Sequence, residues 1–374
     1  MNFTSILAWL YWNPPKEAFY LPFVEQPVVW YGILFVSGFV LGYFLINPII
    51  AKFLRESCQL SLLDISNWNR LVDTYRYSTS SVVQGILKCT DQKIIDSIKN
   101  CHSIHLTQSD KKNILIGINQ YLSQNSLSRD VLISDFRDVI STPKQTAYYL
   151  TDRLCWFIVI GTLIGARFGE VFFYNWSFYS AHPIEILKTW NGGLASHGGV
   201  IGVAISIYFF SIYVKKYIPE FSFMRILDFV AIPSALAAFF IRMGNFVNQE
   251  ILGTPTLLPW GVIFGNPHQE GAIIPRHPVQ LYEGFSYLII FVILFSYWKY
   301  RKQSDRSGAI VGLLFILIFS ARFVLEFWKS TQPSPFNLYF LQTGQLLSIP
   351  FIFIGCFLWW NAVKSDKLKS LQRS

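Results

Sequence analysis

Long apolar stretches alternate with short polar segments along most of the chain. A helix needs about 20 apolar residues to cross the hydrocarbon core of a bilayer. The stretch Ile226–Ile241 is the shortest of those that come near this length, and it contains the charged residue Asp228. It therefore fits the pattern least well. The pattern predicts an all-α integral membrane protein with seven spans: Val28–Ile46, Leu154–Tyr174, Gly198–Val214, Ile226–Ile241, Val279–Trp298, Ser307–Trp328 and Gln345–Val363.

The longest polar segment, residues 51–150, lies between the first two spans. Apolar residues recur at helical spacing in Ile94–Ile98 and Ile114–Leu122. Thr90 and Ser109 are the expected N-caps of these helices. We expect a helical cytoplasmic insert with too few apolar residues for a strong core of its own. The predicted domains are an outer interfacial segment with the first span (1–50), the insert (51–150), and a membrane core of six spans with an inner tail (151–374).

Composition and charge placement support this interpretation and orient the chain. Hydrophobic residues make up 52% and charged residues only 14%, whereas soluble proteins are nearer a quarter charged. Lys and Arg concentrate in the loops after the third and fifth spans and in the C-terminal tail. Basic loops stay on the inner side, so we expect the N-terminus outside, with Phe3–Trp12 on the outer surface, and the C-terminus inside. The net charge of +9 therefore orients the protein and does not imply nucleic acid.

The cysteines do not indicate a metal site or a disulfide framework. The five cysteines include no CxxC pair, and the predicted topology places them inside or within spans, so we expect reduced thiols. Cys89, Cys101, His102 and His105 match no common zinc spacing. We therefore expect a solvated helix there and no metal.

Polar side chains occur at or next to the outer ends of six of the predicted spans. Ionisable residues in a membrane are costly, and they are functional candidates by default. Their common level predicts one site close to the outer headgroup boundary. The residues concerned are Tyr31, Arg167, Glu170, His197, Arg242, Tyr282, Glu283, Arg322 and Glu326.

The types of these residues suggest the chemistry. Three arginines at one level favour an anion, because a guanidinium presents a fixed fork of donors that suits phosphate. Glu170, Glu250, Glu283 and Glu326 would balance their charge, although structural ion pairs at helix ends are an equal alternative for Glu170 and Glu326. His197 stands among glycines in NGGLASHGGVIG, and the ordinary histidine pKa of about 6.5 suits a general base.

Several of these stretches together resemble the bacterial prolipoprotein diacylglyceryl transferases. The most specific match is RMGNFVNQEILG, and the others are VVWYG, GARFG, SHGGVIG, RHPVQLYEG and ARFVLEF, in the family's order and over all but the last span. The chain departs from the family at Ile241, where glycine is usual, at Ile318, where tyrosine is frequent, and at Lys329, where arginine is common. The insert is also far longer than the family's usual first cytoplasmic loop.

The resemblance implies transfer of a diacylglyceryl group from phosphatidylglycerol to the lipobox cysteine thiol of a prolipoprotein signal peptide, with release of glycerol phosphate. It implies a multi-pass protein among the lipids of the bacterial inner membrane, with its site near the outer leaflet and no cofactor. His197 is the natural candidate for taking the thiol proton, although Tyr31 or a carboxylate could contribute. Catalytic roles fall on His197, Arg242, Arg322 and Tyr31, and substrate-binding roles on Arg167, Asn245, Asn248, Glu250, Gly253, Glu283 and Glu326.

Two other classes of protein fit the sequence less well. A transporter for an anionic solute predicts polar residues near the bilayer midplane, interrupted spans and internal repeats. In this sequence the polar residues lie at one end of the spans, and no repeat is evident. A membrane scaffold that only binds a partner gives no reason for a histidine and three arginines at one depth.

Overall fold

The protein is mostly helical in a computed structural model that describes residues 9–21, 27–57, 59–100, 106–189, 192–268, 272–301, 307–330 and 341–373. The strands are β1 (Leu10–Trp12), β2 (Glu17–Tyr20), β3 (Pro27–Val29), β4 (Val262–Phe264) and β5 (Pro275–Arg276). The helices are α1 (Trp30–Ser57), α2 (Trp68–Tyr77), α3 (Ser81–Cys89), α4 (Gln92–Asn100), α5 (Gln108–Gln124), α6 (Leu132–Asp135), α7 (Pro143–Phe173), α8 (Trp176–Ala181), α9 (Ser196–Lys215), α10 (Phe223–Val247), α11 (Val279–Tyr300), α12 (Ala309–Leu325) and α13 (Thr343–Arg373).

Seven helices in the described part of the chain are long and apolar enough to cross a membrane, which confirms the predicted number. Large apolar side chains remain exposed on them, such as Val200, Ile289 and Phe353. Water would disfavour such a surface, whereas lipid chains cover it without cost. The candidate spans are Trp30–Glu56, Pro143–Phe173, His197–Lys215, Phe223–Val247, Val279–Tyr300, Ala309–Trp328 and Thr343–Lys364.

The fourth span extends beyond its predicted bounds at both ends. Helix α10 continues six residues beyond Ile241, so Arg242 and Asn245 lie on its last turns rather than in a loop. Asp228, which made this span doubtful, accepts hydrogen bonds from the backbone N–H groups of Gly308, Ile310 and Val311 at 2.7 to 2.9 Å. A carboxylate at a helix N-terminus satisfies donors that have no partner within the helix.

The chain forms two compact units. Unit 1 comprises residues 1–46 and 227–374, and unit 2 comprises residues 47–226. Unit 1 adds two small sheets to the predicted helices. Strand β4 pairs with β1 in parallel and with β5 in antiparallel orientation, and β2 pairs with β3. The predicted interfacial segment is thus a strand over Leu10–Trp12, while its residues 3–8 lie outside the described residues.

Unit 2 contains the insert, and the expectation of a weak core there is wrong. Helices α2 to α6 enclose a cluster of buried side chains that includes Leu71, Ile86 and Ile118. Single apolar residues from many short segments combine there, so no one segment looked apolar enough. The N-cap of α5 is Thr107 in a capping box with Asp110, not Ser109, and Thr90 is the C-cap of α3.

Helices α7 and α9 of unit 2 pack closely through glycines. A Cβ on Gly165 would overlap the Gly198 carbonyl oxygen and lie 2.6 Å from the Cα of Gly202. Ala195, just before α9, donates its backbone N–H to the Ala166 oxygen at 2.9 Å. Small residues at four-residue spacing therefore form a helix interface.

Candidate functional site

The end of α10 carries an arginine whose charge is balanced by buried carboxylates. The Nε of Arg242 lies 2.7 Å from one oxygen of Glu283 on α11. The other oxygen of Glu283 lies 2.7 Å from the Nζ of Lys329, and Lys329 also lies 3.3 Å from Glu326. We call these four residues the ion-pair network. Each of its buried charges has an opposite neighbour, which offsets the cost of removing it from water.

Glu250 is held by two asparagines of the same motif. Its carboxylate accepts hydrogen bonds from the Nδ2 of Asn245 at 2.7 Å and of Asn248 at 3.0 Å. The Oδ1 of Asn245 accepts from the Nη1 of Arg242 at 3.1 Å. Gln280 donates to the Glu250 backbone oxygen at 2.6 Å. Asn245 therefore links Glu250 to the ion-pair network, and its amide orientation is fixed from both sides.

The turn after α10 has an unusual backbone. Gln249 and Ile251 have φ angles of 55° and 53°. A non-glycine residue in this region costs of order 1–3 kcal/mol and persists only where its surroundings hold it. The Gln249 side chain is fully buried, donates to the Oδ1 of Asn13 at 3.2 Å and accepts from the Asn266 backbone at 2.7 Å. These contacts fix the turn that carries Glu250.

Gly253 allows two backbone segments to approach each other. A Cβ at this position would overlap the His277 carbonyl oxygen. The Gly253 oxygen itself accepts hydrogen bonds from the Oγ of Ser330 at 2.8 Å and the Nη1 of Arg276 at 3.2 Å. Glycine at this position therefore has a structural reason that does not depend on a substrate.

Tyr31 of α1 lies against Gly244, near the end of α10. A Cβ on Gly244 would stand 2.7 Å from the Tyr31 ring, so glycine leaves room for that ring. Tyr31 is within electrostatic range of Glu250 and Arg242. The structure thus brings this residue of α1 to the motif at the end of α10.

Arg322 on α12 belongs to the same neighbourhood but is not held by an ion pair within the described residues. Buried Tyr287 on α11 lies within electrostatic range of Glu283, Arg242 and Arg322. Among the described residues, Arg322 forms no hydrogen bond or ion pair, and its Nε is buried. A buried donor without an acceptor is costly. Arg322 therefore has donors available for an anionic ligand.

Arg167 of unit 2 directs its whole guanidinium at the backbone. Its Nε donates to the Ile186 oxygen at 2.9 Å, and its Nη1 donates to the oxygens of Gly192 and Gly193 at 2.7 and 3.0 Å. Its Nη2 donates to the Lys188 oxygen at 3.2 Å and to the Glu185 oxygen. A guanidinium has five N–H groups, and all of them are used. This geometry favours a role in positioning the 185–193 segment over the substrate contact that the resemblance implies.

His197 and Glu170 are the other candidates in unit 2. His197 is exposed in the first turn of α9, where Gly198 is packed against α7. Glu170 accepts a hydrogen bond from the Nδ2 of Asn175 at 2.6 Å, two residues past the end of α7. This contact joins the end of α7 to the segment that follows it through a neutral donor.

Comparison with known proteins decides the family. The model of the family described as prolipoprotein diacylglyceryl transferase matches residues 132–361. A relative from Protochlamydia amoebophila, named phosphatidylglycerol–prolipoprotein diacylglyceryl transferase, is 51% identical over 95% of both chains. The chain belongs to the prolipoprotein diacylglyceryl transferase family.

More distant family members match a smaller part of the chain. The relative of the same name from Chloroherpeton thalassium is 43% identical over 58% of this chain and 78% of its own length. The one from Chlamydia pneumoniae is 42% identical over 59% and 76%. The family model begins at residue 132, after most of the insert.

Sequence reasoning missed several residues that contact the candidate site. Lys329 was noted only as a departure, yet it joins two carboxylates of the ion-pair network. Trp12 donates to the Phe246 backbone oxygen at 3.1 Å and stacks on the Phe246 ring at 4.7 Å. Asn13 contacts Gln249. No local pattern marks these residues, because each acts on a partner far along the chain.

His277 is a second histidine near the site. It precedes α11, its ring lies 3.2 Å from the Tyr282 hydroxyl, and burial lowers the pKa of His277. The neutral ring is therefore favoured at neutral pH.

Among the described residues, no three His, Cys, Asp or Glu side chains are grouped so as to hold a metal ion. Cys101, His102 and His105 lie outside the described residues.

Proposed function

We propose that the chain transfers the diacylglyceryl group of phosphatidylglycerol to the lipobox cysteine of a prolipoprotein. The thiolate sulfur attacks the glyceryl carbon that carries the phosphate oxygen. The C–S bond forms, the C–O bond breaks, and its electron pair leaves with glycerol phosphate. The products are a thioether and a phosphate monoester with more negative charge than the diester. The site must therefore supply a base for the thiol and cations for the leaving phosphate.

The observation that carries this proposal is the contrast between paired and unpaired arginines in unit 1. Arg242 is fixed by Glu283 and Asn245, whereas Arg322 has no partner within the described residues. We assign phosphate contact chiefly to Arg322, whose free fork suits two phosphate oxygens. Arg242 adds positive charge beside it and keeps its geometry through the ion-pair network.

The motif around Glu250 orients rather than reacts in this proposal. Asn245 and Asn248 use their amide N–H groups on the Glu250 carboxylate. Glu283 and Glu326 hold the cations of the network. Tyr31 of α1, whose ring lies against Gly244 of the motif, presents a hydroxyl to the substrate. Gly253 and Arg167 shape the backbone around substrate-binding residues.

His197 is the residue we assign to the thiol proton. An exposed imidazole at the start of a membrane helix is accessible to a substrate thiol, and imidazole is a common general base. His197 belongs to unit 2 and the ion-pair network to unit 1, so this assignment rests on chemistry and on the family's SHGG motif. Tyr31 remains the alternative base.

We further propose that the protein resides in the bacterial inner membrane with its N-terminus outside and its reaction at the outer leaflet. The basic loops and tail support this orientation. An exported thiol and a phospholipid headgroup both reach that level. The transporter alternative loses support, because the seven candidate spans are continuous helices in the described chain.

The decisive experiment measures the reaction itself. Full-length protein in detergent is incubated with acyl-labelled phosphatidylglycerol and a peptide that contains a lipobox cysteine. We expect label and the diacylglyceryl mass on the peptide cysteine, and none on a peptide with serine in its place. A folded protein that never labels the cysteine peptide would refute the proposal. A His197→Gln variant with unchanged turnover would transfer the role of base to another group.

A further inference from the structure

The insert contains a polar pocket that the transferase reaction does not use. Its volume is about 310 Å³, and it lies between the end of α1 and the segment that follows α5. Its polar lining includes Arg55, Arg129 and the serines Ser123, Ser126 and Ser128. None of the described residues that line it is Asp or Glu. We call this cavity the insert pocket.

Arg129 supplies a buried positive group to the pocket. It is only 6% exposed, and its Nη2 lies 2.6 Å from the Asp64 carboxylate. Asp64 also accepts hydrogen bonds from Ser61 and from the Oγ1 of Thr146 at 2.7 Å, so it is well satisfied. The Nη1 of Arg129 is buried and has no acceptor among the described residues. A charged donor left without an acceptor favours an anionic ligand.

Arg55 supplies the charge that is not neutralised. It is exposed in the last turn of α1 and has no hydrogen bond or ion pair within the described chain. Arg129 is paired with Asp64, so Arg55 leaves the pocket with a net positive charge. The Arg55 fork, the Nη1 of Arg129 and the hydroxyls of Ser123 and Ser126 match the acceptors of a phosphate group.

The position of Arg55 bears on the source of the phosphate. Arg55 precedes Glu56, the last residue of the first candidate span. Arg55 therefore lies at the polar end of a candidate membrane helix, and we infer that this end is near the lipid headgroups. Its volume exceeds that of a bare phosphate and accommodates a small polar substituent.

We propose that the insert pocket binds a phosphate group, carried either by an anionic lipid or by a small soluble phosphate compound. Such a site links the insert to the membrane surface or to the solution beside it. It is separate from the transferase proposal, and neither depends on the other.

Hydrogen exchange of the full-length protein in phosphatidylcholine nanodiscs tests this proposal. One arm adds inorganic phosphate, and the other replaces part of the lipid with phosphatidic acid. We expect slower exchange in peptides covering residues 119–131 in at least one arm. Slowing by phosphate alone identifies a soluble ligand, and slowing by phosphatidic acid alone identifies a lipid. Slowing in both arms means that the pocket accepts the phosphate from either source.

Arg55→Gln and Arg137→Gln form the matched pair of variants. Arg137 is another exposed arginine of the insert and does not line the pocket. We expect Arg55→Gln to need about tenfold more ligand for the same slowing of exchange. Arg55→Lys should need a smaller increase, and Arg137→Gln should need none. All three should keep normal transferase activity. No protection in either arm, or equal protection in Arg55→Gln and Arg137→Gln, would overturn the proposal.

Discussion

Three arginines that look alike in the sequence have three different environments. Arg167 gives every guanidinium N–H to backbone oxygens of one segment. Arg242 is fixed by a carboxylate and an amide. Arg322 has no partner among the described residues. A guanidinium contributes to phosphate binding only through donors that the protein has not already used, so the three should respond differently to substitution.

We predict that Arg322→Lys lowers kcat/KM about 10²- to 10³-fold while leaving the thermal midpoint unchanged, because it removes the free fork. Arg242→Lys should lower both quantities, since it breaks contacts to Glu283 and Asn245. Labelled-lipid kinetics and thermal unfolding in detergent measure the two effects. Arg137→Lys serves as the control. Equal behaviour of Arg322→Lys and Arg242→Lys would contradict the assignment of phosphate contact chiefly to Arg322.

Lys329 provides a second prediction at this scale. It is buried and contacts both Glu283 and Glu326. Lys329→Met leaves two buried carboxylates short of a cation, and breaking such a pair costs about 3–5 kcal/mol. We expect a clear loss of folded yield and of thermal midpoint for Lys329→Met. Lys329→Arg, which carries the residue common in the family, should retain both. A stable Lys329→Met protein would show that the network does not need this cation.

At the scale of elements, the contact between α7 and α9 depends on particular glycines. Gly165 faces backbone atoms of Gly198 and Gly202, whereas a Cβ on Gly199 would meet Thr162 and Ala166 at 3.6 to 3.9 Å. The first arrangement leaves no space for a methyl group, and the second is ordinary van der Waals contact. Alanine is favoured over glycine inside helices by about 1 kcal/mol. At Gly165 steric overlap therefore opposes the gain in helix propensity from alanine. At Gly199 no overlap opposes that gain.

We expect Gly165→Ala to destabilise the protein by about 1–3 kcal/mol, because the two helices must separate. Gly199→Ala, on the facing helix, should be neutral or slightly stabilising. Thermal unfolding of the two detergent-solubilised variants, measured side by side, makes the comparison. If both variants matched the wild type, the close approach of the helices would not be needed for stability.

At the scale of the whole molecule, the insert begins and ends at one place. Ile65 and Ile140 form an antiparallel bridge, and Ser66 donates to the Val139 oxygen at 2.9 Å. Paired residues of this kind have Cα atoms about 5 Å apart, a gap that a few residues can close. The insert also has its own buried core. These facts make it removable without stretching α1 or α7.

We predict that replacing residues 66–139 by a short Gly-Ser linker preserves transferase activity to within about threefold, since loop length alone changes stability little. The labelled-peptide assay and the yield of folded protein are the measurements. The control is the intact chain with the same short Gly-Ser linker inserted after Ser66. A folded protein that has lost more than tenfold of its activity would show that the insert takes part in the reaction.

The sequence by itself determined the number of spans, the motif residues and the kind of chemistry. Hydrophobic runs of bilayer length report membrane helices directly, since each helix satisfies its own backbone in lipid. Residues such as Arg242 and Glu283 were identified because charged groups are rare inside such runs. Helix ends were not determined in the same way: α10 continues through Val247, and Arg242 and Asn245 bond to each other along it.

Only the tertiary structure decided which partner each side chain has. Asp228 caps a helix 80 residues away, and Gln249 holds Asn13, 236 residues away. The insert's core likewise assembles from short helices that are each only partly apolar. Periodicity and composition are local properties, whereas hydrogen bonds, ion pairs and core packing join segments that are distant in the chain. That difference is why the sequence showed which residues carry chemistry, and the structure showed which of them are still free to use it.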